Sequence, residues 1–180
     1  MLFSFLHVAL GAVTMPRWFS DNMVLQTNAE YGARAFLSGR ASPNETVTMR
    51  SDPSHPLGQQ TVVADSNGDW GMQLRPGQST GLTIKISGEN GQELVARNVS
   101  GGDVFFCSGQ SNMVFPLKLA FNMSAEAATL AQHPEFRFFM TQRNYASTPQ
   151  FDFAAIGAPN TGCDSPPNCN RWLTAQEAMG

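Results

Sequence analysis

Ser111 stands between two carboxamides in the run Ser108-Gly109-Gln110-Ser111-Asn112-Met113. A serine hydroxyl is a nucleophile once a base takes its proton, and amides or backbone N–H groups beside it can hold the oxyanion that acyl transfer creates. Just upstream lies the apolar run Val104-Phe105-Phe106-Cys107, of strand length and bounded by turn residues. It breaks at Ser108-Gly109, small residues that let the backbone turn sharply. These features predict a serine at the carboxyl end of a buried strand, with Gly109, Gln110 and Asn112 supporting the site. Open parallel sheets carry their sites at such strand ends. The pattern is not the nucleophile elbow of the α/β-hydrolases, because Met113 stands where that motif needs its second glycine. A polar turn after a core strand is the competing reading of the same residues.

The elements that would position this serine follow two patterns. Up to Val99 the sequence reads as all β, with strands predicted at 33–38, 46–50, 61–64, 71–74, 82–87 and 93–98. Thr46-Val47-Thr48-Met49 and Leu82-Thr83-Ile84-Lys85-Ile86 alternate polar with apolar residues, as half-buried strands do. Turn signals separate the strands at Ser42-Pro43-Asn44, Asn67-Gly68-Asp69, Pro76-Gly77 and Glu89-Asn90-Gly91. Asn67-Gly68 predicts a tight hairpin with positive φ at both positions. Short strands at this spacing predict a β-sandwich or jelly-roll-like module over 15–100, with Trp70 as a core anchor. Ser100-Gly101-Gly102 marks a boundary, and 101–180 changes to an α/β pattern. A helix is predicted over 125–132, capped by Ser124, with Glu126 in its first turn and Pro134 as its stop. Residues 136–140 read as a second strand, so strand, crossover helix and strand imply a right-handed parallel pair. Loop-forming residues dominate from Thr141, with Arg171-Trp172-Leu173 as an anchor near the end.

Gly102-Asp103-Val104 followed by Ser108-Gly109-Gln110-Ser111-Asn112-Met113 resembles the nucleophile block of the sialate O-acetylesterase family, SGNH-type serine esterases that remove acetyl groups from sugars. Upstream, Phe19-Ser20-Asp21-Asn22-Met23-Val24-Leu25-Gln26 resembles the opening of the same family's N-terminal β domain, in the correct order. The resemblance runs from Met15 onward. It implies a sialate-type carbohydrate O-acetylesterase with Ser111 as the catalytic nucleophile. It also implies that 101–180 is the N-terminal portion of an SGNH-type α/β domain built on a parallel sheet. The family's Asp-x-x-His, which supplies the base, has no counterpart after Ser111, and neither do the glycine and asparagine blocks that complete its oxyanion hole. The chain therefore reads as the N-terminal part of such an enzyme, inactive alone. Asp52-Pro53-Ser54-His55 has the right spacing but precedes Ser111, and it reads as a turn. The expected substrate is an O-acetylated sugar or glycan, with no cofactor and no metal. The alternative function is a non-catalytic glycan-binding or interaction module with a residual esterase stub.

The chain has 180 residues, enough for one ordinary domain or two small ones. Its 42% apolar content allows a core, and its 14% charged content lies below the roughly 25% of an average soluble domain. A net charge of -3 without a basic run argues against a nucleic-acid partner. Residues 1–14 are mostly apolar but too short to span a bilayer, which takes about 20 residues. They resemble a secretory signal with Gly11-Ala12 at its small-residue end, and the competing reading is an N-terminal strand. Asn44, Asn98 and Asn122 each begin an Asn-x-Ser/Thr sequon and are candidate glycosylation sites. Cys163 and Cys169 bracket a turn-rich loop and are candidates for a local disulfide, with Cys107 expected buried and inert. His7, His55 and His133 are scattered singly, without zinc-site spacing. The expected location is secreted, lysosomal or extracellular. The oligomeric state is left open.

Overall fold

The computed structural model describes residues 12–27, 34–52, 55, 57–109, 111–153, 161–162 and 169–179. The described chain is mostly β. Seven strands precede Asp103: β1 (Val24–Gln26), β2 (Ala35–Arg40), β3 (Thr46–Ser51), β4 (Gln59–Val63), β5 (Asp69–Leu74), β6 (Ser79–Ser87) and β7 (Glu93–Gly102). The six predicted strands fall on β2 to β7, and the alternation in β3 and β6 sends one face inward, as a period of two requires. Five strands form one sheet in the order β1-β7-β6-β3-β4, and β2 pairs with β5 in a second. Both sheets contribute to one apolar core: Leu37, Trp70, Met72 and Leu74 from the smaller, and Val47, Met49, Ile84, Ile86 and Val99 from the larger. Trp70 is thus the core anchor that its position after a turn implied. Val13 is also in this core, and Thr14 exchanges two backbone hydrogen bonds with Arg40, at 2.8 and 2.9 Å. The last two residues of the signal-like segment therefore belong to the β structure.

The turn at Asn67-Gly68 differs from expectation. Only Gly68 has positive φ, and Asp65 organises the loop: its Oδ1 accepts the N–H groups of Asn67 and Asp69 at 2.8 and 2.9 Å. The strands on either side also pair elsewhere, β4 with β3 and β5 with β2. The turn therefore carries the chain from one sheet to the other and joins no hairpin.

β7 is the strand that leads to Ser111, and the Asp21–Gln26 block is laid along it. β1 runs parallel to β7 with Val24 opposite Ser100 and Gln26 opposite Gly102. Where β7 leaves its register with β6, between Ala96 and Val99, the backbone bulges and Asn98 takes φ 53°. That bulge frees the main-chain groups of Arg97. The Arg97 N–H donates to Asp21 Oδ1 at 2.7 Å, and the Asn22 N–H donates to the Arg97 carbonyl at 2.9 Å. Further along, the Ser100 N–H donates to the Met23 carbonyl at 3.0 Å and the Thr27 N–H to the Gly102 carbonyl at 3.1 Å. The Gln26 side chain then extends the pairing past the end of the ladder. Its Nε2 donates to Asp103 Oδ1 at 3.2 Å and its Oε1 accepts the Val104 N–H at 2.7 Å.

Beyond Val104 the structure departs from the expected α/β unit. Residues 104–107 form no strand, and Phe105 and Phe106 are 83% and 89% exposed. The reason is the lack of a partner: β1 ends at Gln26, and no described strand continues alongside to take the main-chain groups that a strand must pair. Cys107, expected buried, is accordingly an exposed free thiol. The helix is α1 (Met123–Ala131), with Asn122 at its N-cap and no side-chain capping bond, so Ser124 lies inside it. No residue of α1 is buried. The strand expected at 136–140 is β8 (Arg137–Phe139), followed by β9 (Arg143–Asn144), β10 (Thr161–Gly162), β11 (Trp172–Thr174) and α2 (Ala175–Met179). β8 pairs antiparallel with β11, and residues 104–107 form no strand for it to lie parallel to. Among the described residues, β1 and β7 are the only two strands paired in parallel.

Two outcomes are expected from this arrangement. Ile84→Ala removes a fully buried side chain from the shared core and should cost about 2–5 kcal/mol in chemical denaturation. Gln26→Ala should speed hydrogen exchange at the Val104 amide while leaving exchange at Ile84 and Ile86 unchanged, because it removes two hydrogen bonds worth about 1 kcal/mol each. Equal acceleration at all three positions would show that Gln26 supports the whole sheet and not the segment after it.

Candidate active site

Ser111 opens a short 3-10 turn, Ser111–Val114, seven residues after the last amide held by Gln26. It is exposed, and its hydroxyl has no hydrogen-bond partner among the described residues. Asn112 is likewise exposed, and Gln110 lies outside the described residues. Gly109 has a packing reason to be glycine. A Cβ there would sit 2.5 Å from Met113 Cγ, so the methionine folds back over the turn only because the position carries no side chain. The turn thus presents a serine to solvent at the start of a helical turn, and the expected strand before it is replaced by an irregular segment tied down at Asp103 and Val104.

No described residue supplies a base to that hydroxyl. His55 belongs to a turn, its N–H donating to the Asp52 carbonyl at 2.9 Å and its Nδ1 accepting the Leu57 N–H at 3.2 Å. The Asp52 carboxylate accepts the Thr83 N–H at 3.0 Å. The Asp-x-x-His spacing there builds a β-module loop and no dyad. His133, just past the end of α1, places Nδ1 3.0 Å from Glu135 Oε1. The Glu135 carboxyl is held below its ordinary value by its own backbone N–H and then by His133. Both side chains are exposed, and neither is bonded to Ser111. His7 lies outside the described residues.

The other candidate residues fall as follows. Cys169 is buried and disulfide-bonded, and Cys163 lies outside the described residues. Asn44, Asn98 and Asn122 are all exposed, but the Asn98 Nδ2 donates to Asn22 Oδ1 at 2.7 Å. Trp172 does anchor the C-terminal segment. Its Nε1 donates to the Trp18 carbonyl at 2.8 Å, and its ring lies 5.2 Å from that of Phe139. Nearby, Asp152 accepts from the backbone N–H and the guanidinium of Arg17, at 2.8 and 3.0 Å. The three tryptophans therefore serve packing, with Trp70 in the core and Trp18 and Trp172 against it.

Sequence reasoning missed Gln26 as a positioning group. Its signal was present, since Gln26 closes one recognisable block and Asp103 lies in the other, but neither periodicity nor spacing links residues 77 apart. It also missed Arg17 and Asp152, whose pairing joins positions 135 residues apart.

Comparison with known proteins gives a consistent answer. No family model matches the chain. It is 27% identical over 125 residues to the sialate O-acetylesterase of Mus musculus, covering 67% of this chain and 23% of that protein. Against the sialate O-acetylesterase of Homo sapiens it is 26% identical over 144 residues, covering 77% of this chain and 27% of the relative. The chain thus spans about a quarter of the length of the curated relatives it matches. The fold matches a carbohydrate acetylesterase from Xanthomonas citri with a TM-score of 0.68 and 27% identity, covering 91% of this chain and 32% of that one. In sequence and in fold together, the chain is sialate O-acetylesterase-like, matching one part of those proteins as its two blocks implied.

Proposed function

We propose that this chain is the nucleophile-bearing part of a carbohydrate O-acetylesterase, with Ser111 as the nucleophile. The observation that carries the reading is the meeting of the two family-like blocks. Gln26, the last residue of the first, holds Asp103 and Val104 in the second and so fixes the backbone leading to an exposed serine. In this reading 15–100 is a β-sandwich or jelly-roll-like module, and 101–180 is the beginning of an SGNH-type α/β domain. The likeness to a carbohydrate acetylesterase over 91% of the chain supports it.

The chemistry follows from the residue types. Ser111 Oγ attacks the acetyl carbonyl carbon of an O-acetylated sugar as a base takes the hydroxyl proton. Backbone N–H groups near Ser111, with the Asn112 and Gln110 amides, hold the tetrahedral oxyanion, the usual device for acyl transfer. The C–O bond to the sugar breaks, the proton passes to the departing sugar oxygen, and water then hydrolyses the acetyl-serine. The base in this reading is a histidine held by a carboxylate, and no described histidine fills the role: His55 is part of a β-module turn, and His133, paired with Glu135, is not bonded to Ser111. Export to a secreted or lysosomal compartment fits the disulfide at Cys169 and the exposed sequons at Asn44 and Asn122. The rival reading, a glycan-binding module, gains nothing from Trp18, Trp70 and Trp172, which pack against the protein, although Phe105, Phe106, Phe121 and Tyr145 are exposed aromatics.

Three outcomes are expected. The 180-residue chain alone should show no saturable turnover of p-nitrophenyl acetate above its Ser111→Ala variant, and a difference of tenfold or more (about 1.4 kcal/mol) would show that the site is complete within these residues. In an assembly carrying the missing base, a fluorophosphonate probe should label Ser111, and labelling at another residue would overturn the assignment. Peptide mapping of exported protein should find Cys169 joined to Cys163, with Cys107 free. Free thiol at Cys163 would contradict that pairing.

A further inference from the structure

The outer face of the β2–β5 sheet carries an exposed aromatic ring in a frame of paired polar side chains. The inner face is spent on the core, where Ala35 and Leu37 of β2 and Trp70, Met72 and Leu74 of β5 are buried. On the other face Phe36, Ser38 and Arg40 of β2 stand opposite Gln73, Gly71 and Asp69 of β5. Phe36 is 57% exposed. Its ring leans across the sheet over Gly71, where an added Cβ would collide with Phe36 Cζ, so the ring keeps this place only because position 71 has no side chain. A glycine inside a strand marks such a close approach. Polar pairs lie before and after the ring along the strands. Arg34 donates to Gln73 Oε1 at 3.0 Å on one side, and Arg40 Nε stands 3.2 Å from Asp69 Oδ1 on the other. A second exposed ring adjoins at the Arg40 end, with the guanidinium carbon 5.0 Å from the ring centroid of Phe151. The Arg34 Nε–H, the Gln73 amide N–H groups and Asp69 Oδ2 have no protein hydrogen-bond partner among the described residues.

These groups together have the chemistry that recognises a saccharide. The face of an aromatic ring is electronegative and attracts the polarised C–H bonds of a pyranose. Guanidinium, amide and carboxylate groups beside it match sugar hydroxyls, which both donate and accept. An apolar strand or a second protein sheet laid on this face would strip water from Arg34, Arg40 and Asp69 without returning hydrogen bonds, whereas hydroxyls keep those groups satisfied. We propose that the outer face of β2 and β5 is a glycan-binding site. It takes a pyranose unit of an oligosaccharide on the Phe36 ring, with the hydroxyls of that unit held by Arg34, Gln73 and Asp69. The site stands on the chemistry of the β module and not on the esterase reading, since no residue of the Ser111 turn belongs to it.

The test is NMR titration of the intact 180-residue chain, labelled in its phenylalanine rings, with xylohexaose, cellohexaose and sialyllactose in turn. At least one of these sugars should shift the Phe36 ring signals saturably. Phe36→Ala should weaken binding of that sugar by roughly tenfold or more, with the unfolding midpoint of the β module unchanged because the ring lies outside the core, and Phe36→Trp should retain binding. Gly71→Ala should also weaken it, because the added Cβ displaces a ring that is still present. Ser111→Ala should leave the affinity as it is. No shift at Phe36 with any of these sugars, shifts confined to Phe105, Phe106 and Phe115 beside the Ser111 turn, or self-association of the chain that Phe36→Ala abolishes would each overturn the proposal. Ester turnover takes no part in the readout, so failure of the esterase reading and failure of this site are told apart.

Discussion

The parallel contact between Val24–Gln26 and the end of β7 is the constraint on which the site depends. Parallel strands cannot be joined by a tight turn, and here the connection between them is the rest of the β module. The position of Gly102 therefore depends on the fold of the module, and the starting direction of the segment towards Ser111 depends on Gly102. Two further features sharpen that geometry. The bulge at Arg97 and Asn98 gives Asp21 and Asn22 main-chain groups to hold, which sets the register of β1. The Gln26 amide then carries the pairing two residues past the ladder, where backbone pairing has stopped.

What happens after Val104 follows from the same logic in reverse. A buried aromatic side chain contributes on the order of 1.5–3 kcal/mol only if something covers it. The β module buries most of its large apolar side chains between two sheets, with Phe36 and Val63 left exposed, whereas the later segment has α1 without a buried residue and a two-stranded β8–β11 ribbon. Trp172 and the Arg17–Asp152 pair tether this segment to the β module, and its buried apolar residues are few: Cys169, Leu173 and Ala175 among those described. An exposed ion pair of that kind is worth little, so the indole packing and its hydrogen bond carry most of the tether.

The sequence was legible where the physics is local. Alternation in Thr46-Val47-Thr48-Met49 and Leu82-Thr83-Ile84-Lys85-Ile86 located β3 and β6 because each strand buries one face within the described fold. The Asn67-Gly68 signal marked a turn correctly but not its kind, since Asp65 side-chain bonding and the switch between sheets decided the backbone. Val104–Cys107 misled for the opposite reason. Its composition is that of a buried strand, but a strand exists only with neighbours, and the described chain offers none. The pairing of Gln26 with Asp103 was beyond any local rule, although both residues lie in blocks whose family resemblance was recognisable.

The central claim is that Ser111 is the nucleophile. It is tested most directly by rapid acid quench of the complemented esterase during turnover of an O-acetylated sugar, followed by peptide mass mapping. The account requires the mass of one acetyl group on the peptide containing Ser111, lost in the Ser111→Ala variant. Turnover with no acetyl adduct on that peptide, or an adduct on another residue, would contradict it.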